Sequence, residues 1–129
     1  MGETKDISFF TPEEQVRLVE LKSRLQELAG DCLRPEDTER MHTLLATAIE
    51  EGRLGRDNFG LNPIVNNLQT AIIVVDEMGM RRAAIISILL HDIVKNGFIS
   101  TDEVATQFGT DVAGILGGLV RINKLYEKN

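Results

Sequence analysis

Along most of this chain apolar residues recur at intervals of three and four, the spacing that lines one face of a helix. Leu18, Leu21, Leu25 and Leu28 form the first stripe. Thr11-Pro-Glu-Glu14 supplies its start: a threonine cap, proline at the first helical position and glutamate three residues after the cap. Gly30 ends it, and two heptads are too few for a coiled coil, so the stripe predicts packing onto the rest of the domain. Pro35-Glu-Asp37 opens a second helix, with Met41, Leu44, Leu45, Ala48 and Ile49 on one side and Gly52 as its stop. A third runs from about Pro63 to Met78, with Ile64, Val65, Leu68, Ala71, Ile72 and Val75 inward and Gly79 as its break.

The fourth helix, beginning at Arg81-Arg-Ala-Ala84, differs in kind. Ile85, Ile86, Ile88, Leu89, Leu90, Ile93 and Val94 leave it almost no polar face, which predicts a place at the centre of a helical domain. Ser100-Thr-Asp-Glu103 is a second capping box and predicts a short helix through Phe108. Thr110-Asp111 caps a last helix bearing Val112, Ile115, Leu116, Leu119, Val120 and Ile122. Its Gly114, Gly117 and Gly118 each weaken a helix by about 1 kcal/mol relative to alanine, and so point to close helix packing or a kink. No segment alternates as a strand does. The expected class is all-α, a bundle of about six helices.

Composition narrows this little but consistently. The 129 residues fit one domain: a polar lead-in (1–10) whose Phe9 and Phe10 tuck under the first helix, an N-terminal helical pair (11–51) and a core (52–129). A hydrophobic share of 43% describes an ordinary globule. The net charge of −6, with basic residues scattered, leaves no positive footprint for DNA, although a nucleotide pocket needs only a few local cations. One cysteine, Cys32, gives neither a disulfide framework nor a thiolate zinc cluster. Apolar runs broken by Asp76, Glu77, Arg81, Arg82 and Asp92 are too short to span a membrane. Without a cationic, apolar leader, the expected location is cytoplasmic.

The candidate chemistry lies in Ser87–Gly97, where His91-Asp92 interrupts the most apolar run of the chain. A buried carboxylate costs several kcal/mol unless it is paired, so a metal ion or a polar network is expected there. Metal-assisted phosphoester hydrolysis needs about four nitrogen or oxygen ligands and a nearby acid–base group. The chain offers His91 and Asp92, then Lys95 and Asn96 one turn later, which is half a site. His42 has polar neighbours and reads as a surface histidine. Residues 52–63, with three glycines, two arginines and two asparagines, suit a phosphate-covering loop or a plain connector equally.

Leu89-Leu-His-Asp-Ile-Val94 followed by Thr101-Asp-Glu-Val-Ala-Thr-Gln-Phe-Gly-Thr-Asp-Val-Ala113 resembles the HD domain of RelA/SpoT alarmone synthetase/hydrolases. Gly118 to Leu125 resembles that family's Gly-Val-Thr-Lys-Leu segment, and Asn62-Pro-Ile-Val-Asn-Asn-Leu-Gln-Thr-Ala71 its Pro-Tyr-Ile-x-His-Pro-Leu-x-Val-Ala. The likeness covers roughly Glu50 to Leu125. It implies an HD-like helical bundle, cut short at its C-terminal end, with His91 and Asp92 as the family's metal-binding pair. The family's first ligand histidine falls on Asn66 by motif, or on Asn67 if the segment is aligned without a gap. Its catalytic Glu-Asp pair falls on Lys95 and Asn96, and a lysine there repels a cation. Its fourth ligand, a later aspartate, falls beyond Asn129. Arg56, ahead of Gly60–Pro63, occupies the place of a nucleotide-contacting arginine.

The resemblance therefore implies a domain without catalytic residues, with a vestigial metal pair and no cofactor. Its partners would be a GTP pyrophosphokinase (synthetase) domain downstream, a guanosine nucleotide, or a second copy covering apolar faces of the third, fourth and last helices. One alternative is a metal-dependent nucleotide phosphohydrolase with altered ligands, using Mn²⁺ held by His91, Asp92 and an asparagine carbonyl. Another is a helical interaction module with no ligand, in which Asp92 pairs with Arg81, Arg82 or Lys95.

Overall fold

A computed structural model describes residues 9–56 and 60–128, with side chains described through Ile122. Residues 1–8, most of the expected lead-in, lie outside the described residues, as do residues 57–59 of the expected loop. Among the described residues six helices follow in order: α1 (Pro12–Ala29), α2 (Pro35–Glu50), α3 (Pro63–Met78), α4 (Arg82–Lys95), α5 (Thr101–Phe108) and α6 (Thr110–Lys128). No strand occurs among the described residues. The expected all-α bundle of about six helices is what forms.

The capping signals act as their chemistry requires. Thr11 Oγ1 accepts from the Glu14 amide at 3.1 Å while Glu14 Oε1 accepts from the Thr11 amide at 3.0 Å. Ser100 Oγ likewise accepts from the Glu103 amide, and Asn62 Oδ1 accepts from the Ile64 and Val65 amides at the head of α3. Gly79 ends α3 at φ 67°, a left-handed conformation that glycine adopts without a Cβ penalty.

Packing centres on α4, which contacts α2, α3 and α6; α1 lies on α3, and α5 on α6. Ile85, Ile86, Leu90 and Ile93 are fully buried, each contributing roughly 1.5–3 kcal/mol of transfer free energy. Ser87 is buried with them, and its hydroxyl donates back to the Ala83 carbonyl at 2.7 Å, so the helix interior carries no orphaned hydroxyl. From α1, Leu21 and Leu25 enter the core, while Phe9 packs against it edge-on to Phe10, with ring centroids 5.1 Å apart.

Two expectations change here. The apolar surface of α4 is covered within the chain, whereas α3 leaves Ile73 exposed and α6 leaves Ile115 and Ile122 exposed. Among the described residues the α6 glycines make no close packing contact: a Cβ built at Gly114, Gly117 or Gly118 meets nothing within 4 Å, and the helix runs on from Thr110 to Lys128.

Candidate functional site

Near the C-terminal end of α4, core and polar residues divide the helix between them. Leu89, Leu90, Ile93 and Val94 are buried, and between them His91 and Asp92 reach its half-exposed edge. There α3, held alongside by Leu68 and Ala71, presents Asn67. Its side-chain Nδ2 donates to Asp92 Oδ2 at 2.6 Å. An ionised carboxylate only accepts, so the amide NH₂ must be the group turned toward it, in a charge-assisted bond. His91 Nδ1 stands 4.0 Å from Asp92 Oδ1. Asn66, by contrast, is exposed, and its carbonyl accepts from the Thr70 hydroxyl. Of the two asparagines that the RelA/SpoT resemblance sets at a histidine position, Asn67 therefore joins His91 and Asp92.

A cation needs lone pairs directed at it, and Asn67 instead directs N–H at an Asp92 oxygen. Among the described residues, no three His, Cys, Asp or Glu side chains gather into a group that could hold one. Nor does Asp92 draw on the arginines offered as partners. Arg81 pairs with Asp31 at 3.1 Å, and Arg82 pairs with Asp37.

Lys95 and Asn96 close the helix. Lys95 is exposed, one turn beyond His91. Asn96 has become a brace between the turn after α4 and the segment after α2. Its Oδ1 accepts from the Phe98 amide at 2.9 Å, its Nδ2 donates to the Arg53 carbonyl, and its own carbonyl accepts from Arg53 Nη2 at 3.1 Å. The Arg53 guanidinium also lies 5.7 Å from the centre of the Phe98 ring, a cation–π contact. A carboxylate in place of this amide could keep the bond from Phe98 but could not donate to Arg53.

Arg56 is likewise taken up by the fold. Its Nη1 and Nη2 grip the Glu14 carboxylate at 2.8 and 2.6 Å, and they also donate to the carbonyls of Gly60 and Phe9. The two-pronged guanidinium contact holds the Glu14 carboxyl down at about 2. Arg56 thus latches the loop before α3 onto the capping box of α1, and its fork points at a protein carboxylate.

A second ion pair, between Arg82 and Asp37, was also not expected from the sequence. Arg82 Nε and Nη2 donate to the two oxygens of Asp37 at 2.8 and 2.9 Å, and Nη2 also reaches the Phe108 carbonyl at 3.0 Å. Asp37 is buried, and the guanidinium holds its carboxyl below the usual range. In sequence Asp37 is an ordinary acid in a first helical turn, and nothing marks Arg82 as its partner. The one usable hint is that Arg82 heads a helix otherwise apolar all round.

An open apolar groove of about 870 Å³ separates α1 from α2, with Leu18 and Leu25 on one wall and Leu45 and Ile49 on the other. Ile64, Leu68 and Leu89 form its floor, and His42 lies on its rim. None of Asn67, His91, Asp92 or Arg56 lines it, so groove and polar cluster are separate features.

Comparison with curated proteins and with solved structures gives no match. Comparison with protein families does: the family described as HD domain matches residues 42–129, from the second half of α2 through α6, with the His91-Asp92 step inside the matched span. With an all-helical core built around that step, the chain belongs to the HD-domain family.

Proposed function

We propose that this is a hydrolase-inactive HD domain of the RelA/SpoT type, which acts by contact on a guanosine tetraphosphate synthetase domain of the same protein. The observation that carries the reading is the bond from Asn67 to Asp92. An amide takes the place expected of a ligand histidine and satisfies the neighbouring carboxylate directly, so the pair is held without a cation. The family's carboxylate pair is replaced by Lys95, which is cationic, and Asn96, which serves as a brace. In that reading the transfer of pyrophosphate from ATP to GTP or GDP belongs to the synthetase domain, and this domain restrains or positions it.

The experiment is a guanosine tetraphosphate hydrolysis assay across a Mn²⁺ titration, run beside calorimetry of Mn²⁺ binding. The expected result is no turnover and no saturable heat. Metal-dependent release of pyrophosphate would overturn the reading in favour of a hydrolase with altered ligands. The regulatory half is tested in the full-length protein, where deleting this domain should change the rate of pyrophosphate transfer.

A further inference from the structure

One face of α6 has no neighbour among the described residues. Positions 111, 114, 115, 118, 121 and 122 fall on one side of a helix. They carry Asp111, Gly114, Ile115, Gly118, Arg121 and Ile122. Ile115 and Ile122 are 40% and 51% exposed, while Val112 and Leu116 on the opposite side are buried. The glycines sharpen this. Each costs helix stability relative to alanine, yet a Cβ at Gly114 or Gly118 would meet nothing within 4 Å. No contact among the described residues accounts for them.

The distribution of charge along the face supplies a reason. Asp111 stands at one end and Arg121 at the other, both exposed. A twofold axis crossing α6 beside Leu116 exchanges positions 111 and 121, and positions 114 and 118. Under that operation Asp111 of one copy lies opposite Arg121 of the second, at both ends. Gly114 lies opposite Gly118, so the backbones can approach closely, and Ile115 enters the space that the opposing glycines leave open. A surface that complements itself under a twofold axis is what an isologous dimer requires.

We propose that this face of α6 is a docking surface for a second copy of the chain, paired antiparallel about Leu116. A single helix pair buries less than the ~1,000 Å² of a permanent interface, so the association is weak and depends on concentration. The Val112 and Leu116 side of α6 stays in the core throughout, so pairing requires no unfolding.

Sedimentation velocity from about 1 to 300 μM is the test, a range that brackets a micromolar dissociation constant. The chain should move from monomer to dimer across it. Gly118→Leu should weaken the dimer at least about tenfold while leaving the thermal midpoint of the dilute monomer unchanged or raised, since leucine is the better helix former. Arg121→Glu should also give a monomer, because both ends of the face then meet like charge. Mixing Arg121→Glu with Asp111→Lys, each verified as helical, should restore a heterodimer in which every end pair is again opposite. A chain that stays monomeric throughout, or a dimer indifferent to both Gly118→Leu and Arg121→Glu, overturns the proposal.

Discussion

Arg82 closes on Asp37 with both prongs of its guanidinium, tying the first turn of α2 to the first turn of α4. Asp37 is 2% exposed, so removing Arg82 strands its carboxylate away from water, and removing Asp37 leaves a partly exposed guanidinium without its carboxylate. Asp37→Ala or Arg82→Ala should each lower unfolding free energy by about 3–5 kcal/mol. The double variant should cost less than the sum of the singles, since neither charge is then left behind. Urea unfolding of the three variants measures both quantities.

Acid should weaken the fold from two places. Arg56 holds Glu14 down to about 2, and Arg82 holds Asp37 below its ordinary range. A carboxyl whose folded pKa is depressed contributes stability above its unfolded value and loses it as pH falls toward the folded one. Unfolding midpoints should therefore be level above about pH 5 and decline from roughly pH 4 toward 2, as ordinary carboxylate values imply. Glu14→Gln should start from a lower midpoint at neutral pH and decline less steeply. A decline parallel to that of the unmodified chain would exclude Glu14 as a contributor.

Placing a carboxylate at position 96 should damage the protein before it helps any chemistry. Asn96→Asp removes the donor to the Arg53 carbonyl and sets two oxygens against each other, a loss of about 0.5–1.5 kcal/mol at this exposed position. The combined variant Asn67→His, Lys95→Glu, Asn96→Asp should accordingly show a lowered thermal midpoint and no metal-dependent turnover. Turnover in this variant would mean that these three side chains alone decide whether the site can act.

Asn67→Leu removes the amide that satisfies Asp92 and should destabilise the fold by about 1.5–3 kcal/mol, the usual value of a hydrogen bond to a charged group. Adding Asp92→Leu should recover part of that loss. If Asn67→Leu proves neutral, the bond to Asp92 contributes nothing and solvent serves the carboxylate equally well.

What was legible in the sequence was whatever repeats within a turn or two. The stripe Leu18–Leu28, the box at Thr11, the serine cap at Ser100 and the apolar character of α4 each depend on residues three or four positions apart, and each appears in the fold. Contacts between distant segments were not legible. Glu14 with Arg56, Asp37 with Arg82, and Arg53 with Asn96 are more than forty residues apart, and any acid can suit any base until the backbone brings two of them together. The choice between Asn66 and Asn67 was of the same sort: adjacent positions on a helix point about 100° apart, and only the placement of α4 selects one. The α6 glycines misled for the opposite reason, since a small residue signals close approach without naming the surface that approaches.

On α4 the residues that hold the domain together and those that would touch a reactant occupy different sides of one helix. Substitutions at the rim then leave the interior untouched, and substitutions in the interior are removed because they unfold the chain. A reaction can therefore decay in such a scaffold without any change in architecture. His91 and Asp92 stand at the edge of this helix, on the same turns whose Leu90 and Ile93 fill the core.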